Sequence, residues 1–190
     1  MTVLLLALSA LAADQAFKTH AARGGFSIDL PAMPRLSNDG FFETTRHEIR
    51  AVPGPSQAFV ASHADFKEGA FKGREAYRVL TAIRDGWRKG KEIQCERRFT
   101  AGPRKVPCLE YQVELPGPVH VRERLYLDGD RVYVLYVAAL KDKAVPASKD
   151  ADRFFASFVP AKDVKKAVPG PGWPEFKGGR FAKKRPHEDD

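Results

Sequence analysis

Between residues 119 and 140, in VHVRERLYLDGDRVYVLYVAAL, apolar and polar residues alternate up to an Asp-Gly pair and apolar residues resume beyond it. Alternation is the period of a strand with one buried face, and Asp-Gly tolerates the positive φ of a tight turn, so this stretch predicts a β-hairpin. Val119, Val121, Leu125 and Leu127 point inward on its first strand. The returning strand is apolar on both faces, through Val132, Val134 and Tyr136 and through Tyr133, Leu135 and Val137. That predicts a central strand covered on both sides by helices.

The same period recurs upstream. Leu109, Tyr111, Val113 and Leu115 alternate with polar residues until Pro116-Gly117-Pro118. FFETTRHEIR (41–50) and SQAFVASHADF (56–66), separated by Pro53-Gly54-Pro55, predict antiparallel neighbours, and GGFSIDLPAMPRLS a strand stopped by Pro31 and Pro34. From Arg74 to Trp87 the spacing changes to threes and fours through Ala76, Tyr77, Leu80, Ile83 and Trp87, which predicts an amphipathic helix ending before Gly90. A last helix is predicted in SKDADRFFASF, with Ser148 as N-cap and Ala151, Phe154, Phe155 and Phe158 as its apolar stripe. The fold class is therefore α+β: an antiparallel sheet flanked by helices, an α/β/α sandwich occupying residues 24–160.

Outside that domain the pattern breaks. The first residues, MTVLLLALSALAADQ, hold an apolar run from Val3 to Leu11 too short to span a bilayer, and Ala10-Leu11-Ala12 fits the small-x-small rule. Residues 1–12 read as a signal peptide cleaved before Ala13, although the usual basic start is missing; the competing reading is a buried element of the domain. Residues 13–23 read as a polar leader. Residues 161–190, rich in Lys, Gly and Pro, have too little periodic apolar surface to pack and read as a flexible basic tail. No transmembrane helix is expected in the mature chain.

Composition adds a size and a field. The chain has 190 residues, 43% hydrophobic and 29% charged, enough for one self-sufficient core. A formal net charge of +8 attracts phosphate- or carboxylate-rich surfaces without naming one.

Export into a periplasmic or extracellular compartment changes the expectation for the two cysteines, Cys95 and Cys108, because oxidising surroundings favour disulfides. A bridge between them closes a loop of about a dozen residues and stabilises by up to roughly 3 kcal/mol on the chain-entropy model. The spacing is not CxxC, and no histidines stand beside them for zinc. Alternation sets Cys95 with apolar Ile93 and Phe99 but Cys108 with polar Glu110 and Gln112, so a bridge requires an irregular strand near Pro103 and Pro107. Two separate buried thiols are the alternative.

Candidate chemistry is sparse. His20, His47, His63, His120 and His187 are scattered without metal-ligand spacing, and no GxSxG, GxxxxGK[ST] or GxGxxG is present, so no catalytic, metal or cofactor residue is assigned. The one suggestive patch is His120, Arg122, Arg124 and Tyr126 on one strand face, beside Tyr133, where cations and rings suit an anionic ligand; a solvated or helix-covered face is the plainer reading. In the tail, Lys165, Lys166, Lys183, Lys184 and Arg185 are interleaved with Trp173, Phe176 and Phe181. That mixture suits an anionic envelope polymer or lipid headgroups, and export argues against nucleic acid.

GGFSIDLPAMPRLS, RLYLDGDRVYVLYVAAL and ADRFFASF, which frame residues 25–159, resemble the PsbP-like fold and a group of short exported bacterial proteins built on it. The resemblance implies an antiparallel sheet between helices and a binding or assembly-accessory role, and transfers no functional residue. The expected function is an exported, non-enzymatic domain binding a protein or anionic envelope component. The alternatives are a small exported hydrolase whose site assembles only on folding, and a basic polyanion or nucleic-acid binder whose N-terminal run is simply core.

Overall fold

The computed structural model describes residues 17–22, 25–31, 34–41, 44–54, 56–141 and 144–160. Its elements run β1 (Lys18–Ala22), β2 (Phe26–Leu30), β3 (Arg35–Phe41), β4 (Thr44–Gly54), β5 (Gln57–Asp65), α1 (Ala76–Trp87), β6 (Ile93–Ala101), β7 (Val106–Leu115), β8 (Val119–Asp128) and β9 (Arg131–Leu140). A 3-10 turn (Val145–Ala147), α2 (Lys149–Ala156) and β10 (Val159–Pro160) complete the described chain.

The expected β8–β9 hairpin is present in register Asp128↔Arg131. Gly129 takes φ +63 at the first central position of its two-residue turn, the conformation that glycine adopts without a Cβ penalty. This hairpin sits inside a seven-stranded sheet of order β3-β4-β5-β9-β8-β7-β6, in which all neighbours are antiparallel. A second, three-stranded sheet has the order β1-β2-β10. Three of these strands were not expected: β1 lies within the stretch that read as a polar leader, β3 begins straight after Pro34, and β10 follows the last helix and pairs with β2. Each takes its place by pairing, β1 with β2 and β3 with β4, and not through a hydrophobic pattern of its own. The signal-peptide segment 1–12 and the tail 161–190 lie outside the described residues.

The large sheet is covered differently on its two faces. On one, α1 sets Val79 and Leu80 over Leu109, Tyr111, Val113, Val121 and Leu125. Its start is capped by Glu75, whose carboxylate accepts from the backbone N–H groups of Tyr77 and Arg78 at 2.9 Å. On the other face lie α2 and the three-stranded sheet, so that cover is part helix and part strand where helices alone were expected. Ser148 caps α2 by accepting from Ala151 N at 3.2 Å, and Ala151, Phe154 and Phe155 of the expected stripe are buried, while Phe158 lies beyond the end of the helix. Aromatic rings fill this second core: Phe26 on Tyr133 at 5.9 Å, Phe158 on Tyr126 at 4.7 Å, and Phe59 on Phe154 at 5.5 Å. Among the described residues no helix is long and apolar enough to cross a membrane.

Candidate functional site

The arginine patch is assembled as its strand periodicity required, and then filled from within. β8 carries His120, Arg122, Arg124 and Tyr126 on the α2 face, and Tyr133 stands opposite Tyr126 in β9. The adjoining strand β7 supplies Glu110, almost wholly buried, which accepts from Arg97 of β6 and from both Arg122 and Arg124 of β8. Arg122 also reaches Asp152 of α2 at 2.7 Å and the Pro146 carbonyl at 3.3 Å, and its guanidinium lies 5.0 Å from the Phe155 ring centre. Arg124 is 4.6 Å from the same ring. Burial alone would raise the Glu110 pKa, but the hydrogen bonds and charges of Arg97, Arg124 and Arg122 outweigh it and hold the carboxylate below its ordinary range. The patch is thus a clamp whose anion is the protein's own. It fastens α2 to the sheet.

The remaining residues of the patch are similarly engaged. His120 Nδ1 lies 3.6 Å from Glu114, and the Tyr126 hydroxyl sits between Cys108 and Arg124, with burial pushing its pKa up. Tyr133 is packed against Phe26, His63 and Phe158. His47 and His63 are register partners in β4 and β5, but His120 stands on β8, beyond β9. Among the described residues no group of three or more His, Cys, Asp or Glu is placed to hold a metal ion.

Cys95 and Cys108 are both free thiols, so the expected bridge is not formed. The register gives the reason. Cys108 pairs with Phe99, whereas Cys95 occupies a bulge between Gln94 and Arg97, in a positive-φ conformation (+52). Four residues of strand separate Cys95 from the position opposite Cys108, about 13 Å at strand rise, against a Cα span of at most about 7 Å for a disulfide. Cys108 is fully buried, and that burial pushes its thiol up to about 12, while Cys95 is exposed.

The feature that sequence reasoning missed is on the α1 face. Seven strands span roughly 30 Å, but one helix covers only about 10 Å of that width. α1 lies over β7 and β8, and beside it, among the described residues, the sheet is left open as a cleft of about 550 Å³. Val121, Val134 and Ala138 form its floor, Tyr136 and Phe66 its aromatic sides, and Trp87 at the end of α1 its rim. Trp87 read as part of the helix's buried stripe, yet it is 41% exposed.

The charged groups of the cleft neutralise one another. Arg88, the C-cap of α1, bonds to Glu123 of β8, and the same Glu123 oxygen accepts from the Tyr111 hydroxyl at 2.6 Å. Burial, with Glu123 beside it, pushes the Tyr111 pKa up, so that hydroxyl stays a proton donor. On β4, Arg50 is paired with Glu48 at 2.8 Å and stands beside the Tyr136 hydroxyl. What remains facing outward is apolar and aromatic, the kind of lining that binding pockets of this size present. A sequence signal existed: Val134, Tyr136 and Ala138 share a face for which only one helix was available.

No protein-family model matches the chain, and no curated protein matches its sequence. Solved structures are similar to it in shape. A protein of unknown function from Pseudomonas aeruginosa superposes with a TM-score of 0.46 at 12% identity, over 77% of this chain and 99% of that one. The solution structure of the cyanobacterial PsbP of Synechocystis superposes with a TM-score of 0.52 at 10% identity, over 77% of this chain and 93% of that one. With an antiparallel sheet carrying α1 on one face and α2 on the other, the chain has a PsbP-like fold.

Proposed function

We propose that the chain is an exported, non-enzymatic binding protein whose cleft beside α1 receives an apolar segment of a protein partner. The observation that carries this reading is Trp87: a large aromatic ring left half in water at the rim of an apolar, internally neutralised cleft. Exposed aromatic anchors beside desolvatable pockets are where binding energy concentrates. The arginine patch does not compete for the role, because Glu110 and Asp152 already occupy its guanidinium groups. Export rests on the apolar run Val3–Leu11 and on Ala10-Leu11-Ala12.

A photo-crosslinking amino acid at position 87, used in the native host, tests the binding reading. The expected product joins position 87 to an apolar segment of one partner, and is lost when Ala138→Phe fills the floor. Crosslinks scattered over many proteins, or unaffected by Ala138→Phe, would count against it. Intact mass of the exported fraction tests the other half: the chain is expected to begin at Ala13, and a retained Met1 would sink export.

A further inference from the structure

The described chain ends at Pro160, and strand registers fix where that is. Pro160 pairs with Phe26, whose ring lies 5.9 Å from Tyr133 and 6.1 Å from His63. Ser62, Ala64 and Val134, which line the cleft, are the chain neighbours of those two residues and face the opposite way, as alternation along a strand requires. The chain therefore leaves the domain level with the cleft, on the other side of the sheet.

Its direction is fixed as well. Lys18, next to Phe17, pairs with Leu30 at the far end of β2, and the Phe17 ring lies 6.2 Å from Phe59, the partner of Val137. β2 thus runs from the Tyr133 level toward the Val137 level, and β10, antiparallel to it, heads back toward the β8–β9 turn. That turn closes the near end of the cleft, where Phe66 donates its backbone N–H to the Asp130 carbonyl at 2.9 Å.

Passing round the turn to the cleft takes about 30–40 Å: about 10 Å along β9 from Tyr133 to Asp130, about 10 Å for each packed layer crossed, and about 10 Å back. Trp173 is thirteen residues beyond Pro160, a reach of about 43 Å when extended. At that reach the sequence is PGPGWPEF, with Trp173 and Phe176 as apolar rings between proline, glycine and charged residues. A tether of this length holds its end at an effective concentration on the order of 1 mM, so even a weak cleft binder stays mostly bound when it belongs to the same chain.

We infer that the chain's own segment around Trp173–Phe176 occupies the cleft, with both rings over Val121, Val134 and Ala138, as a built-in competitor for the partner. The inference rests on the reading of the cleft as the binding site. A segment of intrinsic Kd near 0.1 mM weakens an external ligand about tenfold at that effective concentration.

The test compares two full-length chains in which Trp87 is the sole tryptophan: Trp173→Phe, which keeps an apolar ring, and Trp173→Asp with Phe176→Asp, which does not. Trp87 emission is expected to lie further to the blue in the first. Anilinonaphthalenesulfonate is expected to bind one per chain, about tenfold tighter in the second. A synthetic peptide of residues 168–180 should displace the dye from the second chain. Equal emission and equal dye affinity in the two chains, with the dye lost on adding Ala138→Phe, overturn the inference and leave the cleft standing. Dye binding indifferent to Ala138→Phe, or absent from every chain, overturns both.

Discussion

Arg88 donates two hydrogen bonds to a single carboxylate oxygen of Glu123, at 3.0 and 2.6 Å, and so ties the C-cap of α1 to the strand beneath it. The pair sits at the wall of the cleft, and Glu123 has only 1% of its side chain in water. Removing one partner of a buried ion pair strands the other's charge, and that penalty exceeds the net worth of the pair. Arg88→Ala is therefore expected to cost about 3 kcal/mol or more. Arg88→Met with Glu123→Met, which leaves no charge behind, is expected to cost less than the single change. Urea unfolding of the two variants checks the order; equal losses would show that packing of the Arg88 stem, not charge, holds the helix end.

Glu110 gives the fold an acid-sensitive fastening. Its pKa is depressed in the folded state, so the unfolded chain binds a proton more readily, and its contribution to stability rises with pH. The contribution is present in full above the unfolded carboxylate value of about 4.3 and is lost as pH falls through the lower folded value. Glu110→Gln is expected to lower stability at pH 7, where it leaves Arg97, Arg122 and Arg124 facing a neutral amide. The gap between variant and parent should narrow below about pH 4. A gap that stays constant from pH 7 to pH 3 would show that the carboxylate charge is not what the clamp uses.

The outcome at this clamp shows what pattern alone conveys. That Arg122, Arg124 and Tyr126 share a face follows from alternation within one strand, and the Asp-Gly turn and the phenylalanine stripe of α2 are equally local. The partner Glu110 is not local: it meets Arg124 only because β7 pairs with β8 in one register, and a shift of one residue would turn it to the other face. β1 and β3 escaped notice for the same reason, since KTHAA has no apolar alternation and β3 follows directly on Pro34, and both are recruited by a neighbouring strand and not by their own periodicity. The cleft is a shortfall of cover on Val134, Tyr136 and Ala138 among the described residues, and sequence reports apolar faces but not what lies over them.

The thiols separate two accounts of residues 91–114. With Cys95 exposed and Cys108 buried and pushed up to about 12, the native chain should take up one equivalent of iodoacetamide at pH 8 without reductant, and two in denaturant. The thiolate is the nucleophile, and Cys108 has almost none of it at that pH. Intact mass spectrometry reads the result. No uptake in denaturant until a reductant is added would mean that the sulfurs are bonded after all and that the β6 bulge rearranges.

Trp87 discriminates a binding rim from a misplaced core residue. Leu80, about two turns earlier on α1, is fully buried, so Leu80→Ala is expected to cost about 2–5 kcal/mol. Trp87→Lys removes a larger side chain, but from a half-exposed site, and puts a cation at a helix C-terminus where the dipole favours it. Its effect on stability should stay within about 0.5 kcal/mol. Dye affinity in the Trp173→Asp, Phe176→Asp chain should nevertheless fall more than tenfold, because the rim supplies one side of the apolar enclosure. Thermal melts and dye titration on the same samples decide between the roles. A loss of several kcal/mol with Trp87→Lys would make the ring part of the α1 core and take the anchor from the cleft.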